Sequence, residues 1–423
     1  MRLPARAGAA TALLLGLICV TTTGAQAADD PIREQGLWYY NQTGMADIHQ
    51  RTTGSGVTVA VIDGPINPQS ADMAGTDVTT HEPAYCAETD GGPPVDAVTT
   101  STAAEHATAM STILLGTGTG VGDQPGTLGI APGARVLHYV QTTGVQVSED
   151  GSTATCYPAA GVEGSPLRQA VDDGAKIINM SISDDDLDWA DVAYAQQHGA
   201  IIVAAAPHDG GTGLFPPASG NGVVSVESIG PDGQLAAKNN TDPRLTVTAP
   251  GEYYAMLVAE EDWTVYRYTT GSSNATAFTS GALALVWSAY PTATANQIIQ
   301  TLIRNTDSTD HELGRDDSWG YGAVNVRHML EHDPTTYPDV NPLLTDDPGV
   351  QPSIAEITGA PTAAPTTDPT ATAPTAAEPE SDADGSTSTF LVVGGILVLL
   401  VVVGIVVAVV VARRRAGSAP PSA

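Results

Sequence analysis

Lysine is almost missing from this chain. Of 423 residues only Lys176 and Lys238 are lysine, and Lys and Arg together number 16 against 47 acidic residues. The resulting net charge of -31 would repel phosphates and leaves no basic patch, which excludes nucleic acid as a partner. A surface this acidic favours solubility instead. Metal chemistry lacks its usual ligands: the nine histidines form no HExxH pair, and the three cysteines make no zinc quartet. No loop shows calcium-ligand spacing, so neither a metal nor another cofactor is expected. The nucleophile elbow GxSxG is absent, which argues against an esterase built on that elbow, and no internal repeat is present.

Long apolar runs occur at both ends. Arg2 and Arg6 precede ALLLGLICV and Ala25-Gln26-Ala27, which reads as a signal peptide over 1–27. Phe390 to Ala412 is an unbroken apolar run of 23 residues, long enough to cross a bilayer as one helix over 390–412. Arg413, Arg414 and Arg415 follow it, so the positive-inside rule makes 413–423 a cytoplasmic tail and puts everything between signal and anchor outside the cell. Loss of Cys19 with the signal leaves Cys86 and Cys156 outside, where an even pair favours a disulfide across a separation of 70. A Pro/Thr/Ala-rich stalk is expected over 341–389, its composition shift running from about Gly349 to Thr389. Such a segment cannot bury enough apolar surface to fold, and proline keeps it extended.

The remaining segment, 28–340, is expected to form one domain. Apolar runs GVTVAVID, RVLHYVQ, AKIINMSI, AIIVAAA, VVSVESIG and LTVTAPG alternate with helical patterns such as AAEHATAMSTILLG, LDWADVAYAQQHG and NATAFTSGALALVWSAY. Strands apolar on both faces that alternate with helices predict an α/β fold, three layers with a mostly parallel central sheet. In such sheets ligands collect beyond the carboxyl ends of the strands. Asp63 ends one apolar run and His208 follows another.

Three residues stand out as chemistry. A carboxylate at the end of a central strand, Asp63, needs a partner to offset desolvation. His106 opens an apolar helix, and Ser273 follows a Gly-Ser turn into a helix that is apolar and small all round. Singly, each also reads as a turn former, a structural histidine or an N-cap. Together they follow the order Asp, His, Ser, one of the three chain orders in which this catalytic trio recurs.

The residues around them carry a family resemblance. VAVIDGPIN, EHATAMSTILLG, LGIAPGARVLHYV and GSSNATAFTSGALALV resemble the aspartate, histidine, following and serine motifs of subtilisin-like serine peptidases, over about Gly36 to Met329. The layout of signal, stalk, membrane helix and basic tail is similar to the mycosins of type VII secretion. The resemblance implies an endopeptidase with Asp63, His106 and Ser273 as its triad, acting on a protein or peptide substrate. It also implies oxyanion donors at His208 and Ser272, and substrate contacts at Ser181, Ile182 and Ser183. Pro207-His208 stands where the family has Gly-Asn, and a neutral His208 as donor predicts activity that weakens below about pH 6.5. The family pattern is also departed from at Gly64-Pro65, Ala107 and Ser272-Ser273-Asn274, changes that bear on turnover rather than fold. SDDDLDWAD, Ser183 to Asp191, reads either as an acidic rim for basic substrates or as a helix start capped by serine. A fold kept as a scaffold in a secretion complex, with little proteolysis, is the competing reading.

Overall fold

A computed structural model of the chain describes residues 31–143, 156–308 and 311–359. The signal expected over 1–27, most of the stalk, the apolar run 390–412 and the tail lie outside them. Among the described residues no helix is long and apolar enough to cross a membrane.

Seven strands form one parallel sheet. In chain order they are β1 (Thr58–Asp63), β2 (Val78–Thr80), β3 (Arg135–Val140), β4 (Ile177–Met180), β5 (Ile201–Ala205), β6 (Val224–Ile229) and β7 (Val247–Pro250). Across the sheet they run β7-β6-β5-β4-β1-β3-β2, so β1 is interior. The strands alternate faces with period two, and this sorts their residues into two cores. Val59, Val61, Ile177, Val203 and Val226 pack on one side, and Ala60, Ile62, Ile178, Met180 and Ile202 on the other.

The first side is covered by α1 (Glu105–Leu115), by the long α4 (Ser272–Ala289) and by α5 (Ala295–Arg304); the second by α2 (Pro166–Asp172) and α3 (Trp189–Gln197). Helix α4 buries nearly every side chain, as a helix that is apolar and small all round must. It packs against α1 and under β4, β5, β6 and β7, so its first turn emerges at the edge where those strands end. The expected layers are present. The edge strand β2 and an antiparallel hairpin, β8 (Tyr254–Leu257) with β9 (Tyr266–Thr269), were not legible as apolar runs. Cys86 and Cys156 form a disulfide, with Cα atoms 5.1 Å apart.

The boundary between domain and stalk needs correcting. Residues 341–359 pack on the domain, although the sequence places 341–389 in the stalk. Asn221, only 2% exposed, donates to Thr345 O at 2.8 Å and Pro352 O at 3.0 Å, and accepts from Thr345 N at 2.9 Å. A short helix, Ile354–Thr358, has its N-terminal donors satisfied by a Ser353/Glu356 capping box and ends at Gly359 in left-handed geometry. One buried asparagine and one cap thus order a segment whose composition reads as unfolded.

Candidate active site

Asp63 reaches its partner through strand parity. Val59, Val61 and Asp63 alternate onto the face that α1 covers, so the last of them meets the first turn of that helix. There His106 Nδ1 lies 2.9 Å from both Asp63 oxygens. The carboxylate is fully enclosed, and its Oδ1 also accepts from Gly64 N at 2.6 Å. A carboxylate accepts only, so the ring proton sits on Nδ1 and Nε2 is left as a base. Burial by itself lowers the His106 pKa, but the Asp63 charge and the hydrogen bond to it outweigh burial and hold it above the ordinary value.

Ser273 lies in the first turn of α4, preceded by Gly271 at φ +141°, a backbone conformation that favours glycine. Its hydroxyl donates to Ser181 O at 3.2 Å, and Ser181 Oγ donates back to Ser273 O at 3.0 Å. Among the described residues no hydrogen bond joins Ser273 to His106. The aspartate and histidine are in contact, therefore, and the serine stands on the helix packed beside them with its hydroxyl turned to β4.

Other expected site residues have different surroundings. The Ser272 hydroxyl donates to Ala206 O at 2.7 Å and is buried, so its proton tethers α4 to the end of β5 and is not offered to an oxyanion. Ile182 falls on the opposite face of the sheet, and its side chain packs in the second core. Ser181 is buried and committed to Ser273; Ser183 alone of the three is exposed. The helix after it is capped by Asp188, whose carboxylate accepts from Ala190 N at 2.9 Å. The acidic stretch is thus a helix start, with Asp188 and not Ser183 as its cap.

His208 does stand beside the serine turn. A Cβ placed on Gly271 would lie 4.0 Å from His208 Cδ2, and His208 Nδ1 is enclosed with no hydrogen-bond partner. Burial lowers its pKa and Lys238 lowers it further, against the opposing charges of Glu252 and Asp209. His208 therefore stays neutral to lower pH than expected, so an acid loss of activity would follow His106, whose pKa lies above the ordinary histidine value.

Two supports escaped the sequence reading. Asn179, a lone polar residue in an apolar strand, donates to Ser181 Oγ at 3.1 Å and accepts from Ser280 Oγ at 3.0 Å, joining β4 to α4. His138 on β3 holds Gly64 O at 2.8 Å through Nε2, steadying the turn after Asp63. Each had a signal, a polar residue inside an apolar run, but its partner lies a hundred or so residues away for Asn179 and 74 for His138. Among the described residues no group of three or more His, Cys, Asp or Glu could hold a metal ion.

The Subtilase family profile matches residues 54–322. A thermostable alkaline protease of Halalkalibacterium halodurans is 29% identical over 281 residues, covering 64% of this chain and 67% of that protein. Subtilisin DY of Bacillus licheniformis is 29% identical over 51% of this chain and 75% of its own length. Mycosin-4 of Mycobacterium tuberculosis is 27% identical over 48% of this chain and 52% of its own length. Among solved structures, MycP1 from Mycobacterium smegmatis shares the fold at a TM-score of 0.51 and 24% identity, covering 72% of this chain and 86% of that one. A parallel sheet with Asp63 gripping His106 at its edge, and a profile match over most of the domain, lead to one conclusion: the chain belongs to the Subtilase family and is a subtilisin-like serine endopeptidase.

Proposed function

We propose that this chain is a membrane-anchored endopeptidase that cleaves secreted or surface proteins outside the cell, with Asp63, His106 and Ser273 as its triad. The reading rests on one observation above the others: both Asp63 oxygens hold His106 Nδ1 at 2.9 Å on the edge where α4 presents Ser273. Asp63 keeps the imidazole in the tautomer whose Nε2 is basic. Ser273 Oγ, turned from Ser181 O towards Nε2, attacks the scissile carbonyl as His106 takes its proton, and Asp63 stabilises the imidazolium. The tetrahedral oxyanion is met by the Ser273 N–H at the start of α4 and by a ring N–H of His208. His106 then protonates the leaving amine, and water releases the acyl group.

Anchoring follows from the signal over 1–27 and the apolar run 390–412. Service beside a type VII secretion complex is the finer reading. It is supported by the likeness to Mycosin-4 and by the shared fold of MycP1 from the ESX-1 type VII secretion system, 23% identical with a TM-score of 0.52.

A fluorophosphonate probe tests the triad. The purified chain is expected to label, and Ser273→Ala is not. One observation favours the scaffold reading: Ser273 Oγ donates to Ser181 O and not to His106. No labelling of wild type at any pH from 6 to 9 would favour that reading and end the proposal of a working triad.

A further inference from the structure

Strand β6 carries a carboxyl where its neighbours are apolar or small. Val226 faces α4, and Glu227, pointing the other way, is fully buried. Burying a carboxyl is costly unless it is neutral, paired or hydrogen-bonded. Among the described residues no Lys or Arg forms an ion pair with it. Its partners are two backbone donors, Asn240 N at 2.7 Å and Ser228 N at 3.3 Å.

Asn240 is itself a buried hub, 2% exposed. Its Oδ1 accepts from Asp209 N at 3.3 Å and Gly211 N at 2.9 Å. Backbone bonds run alongside: Gly210 N to Lys238 O at 2.8 Å and Gly213 N to Thr241 O at 2.9 Å. Segment 238–241 is therefore a rail on which loop 208–213 lies, and Glu227 pins the rail at Asn240. His208 directly precedes Asp209, with its ring beside Gly271 at the head of the serine turn.

We infer that Glu227 is a positioning residue which, through Asn240, sets the loop that aims His208 at the oxyanion. Among the described residues no hydrogen bond joins Glu227 to His208 or to Ser273. Truncating it strands the Asn240 N–H in a buried place, and the side chain that holds Asp209 and Gly211 moves with it. Burial pushes the Glu227 carboxyl up to about 8, Asp209 adds to this, and the two N–H bonds oppose it. The group is thus largely neutral near pH 7, and glutamine can keep its one acceptor oxygen on Asn240 N, giving up the longer bond from Ser228 N, whereas alanine keeps neither.

The catalytic consequence rests on the proposed role of His208, so two readouts are needed. Turnover of a quenched fluorescent peptide and amide exchange at 209–211 are compared in wild type, Glu227→Gln, Glu227→Ala and Asn240→Ala, each with and without His208→Ala. Glu227→Ala and Asn240→Ala are expected to lower kcat about ten- to hundredfold with KM nearly unchanged, and to speed exchange at Asp209 and Gly211. Glu227→Gln should restore kcat to within about threefold of wild type, and in the His208→Ala background Glu227→Ala should change kcat by less than about twofold. Unaltered exchange at 209–211, or an equal loss of kcat in both backgrounds, would overturn the inference. If Glu227→Ala does not fold, Asn240→Ala carries the same comparison. If wild type itself neither turns over nor labels, the proposed triad fails, and exchange alone decides the positioning role.

Discussion

Replacing Asp72 by asparagine should stabilise the protein at neutral pH and leave it unchanged in acid. Asp72 sits in a single helical turn, Ala71–Met73, and is 1% exposed. Its Oδ1 accepts from Thr127 N and Tyr266 OH, both at 2.9 Å, and Arg33 lies 5.3 Å over the Tyr266 ring. Burial raises the Asp72 pKa from 3.8 to about 6, against the opposing pull of these hydrogen bonds and of Arg33. The folded state therefore keeps its proton when the unfolded chain has released it. Stability from this group is fully present below pH 3.8 and is lost as pH rises through about 6. At about 1.4 kcal/mol for each tenfold change in proton affinity, the loss is about 3 kcal/mol. An amide oxygen accepts the same two bonds without acquiring charge. Asp72→Asn should thus exceed wild type by up to about 3 kcal/mol at pH 7.5, less whatever attraction to Arg33 is given up, and the advantage should vanish near pH 4. Urea unfolding followed by tryptophan fluorescence across pH 4 to 8 measures it. A variant no more stable than wild type at pH 7.5, or a difference independent of pH, would refute the assignment of Asp72 as a buried, reluctant acid.

Other expectations separate roles within the site. Ser272→Ala should lower stability by about 1 kcal/mol through the lost bond to Ala206 while leaving kcat nearly intact; a hundredfold fall in kcat would return Ser272 to the oxyanion site. His208→Ala should reduce kcat about a hundred- to thousandfold, the range known for losing the equivalent donor in subtilisin, and equal turnover would remove the role. The acid limb of kcat/KM should lie above the ordinary histidine value because the Asp63 charge raises His106 and the base must be neutral; a limb unchanged in Asp63→Asn would contradict that cause. Changing Cys86 and Cys156 together to serine should destabilise by up to about 4 kcal/mol for a closed loop of 70 residues, read as a fall in Tm.

The layers were legible because they rest on local pattern. Six apolar runs became strands, and the helical stretches between them became the covering helices, since short-range periodicity decides which face a residue can bury. The contact of Asp63 with His106 was expected from the Asp, His, Ser order and the family resemblance, since neither residue read alone required it. Hydroxyl directions were not. Ser272 and Ser273 are adjacent and alike in sequence, yet one bonds the end of β5 and the other the end of β4, because a helix start turns successive side chains to different strands. Parity decided that Ser181 meets Ser273 while Ile182 enters the opposite core. The ordering of 341–359 by Asn221, and the grip of Glu227 on Asn240, depend on partners brought together only by the fold. Local sequence thus set the elements and the chemical types at their ends. Which hydroxyl, carboxyl or amide meets which partner was left to tertiary packing, since a hydrogen bond needs its two atoms within about 3 Å and periodicity along the chain carries no such distance.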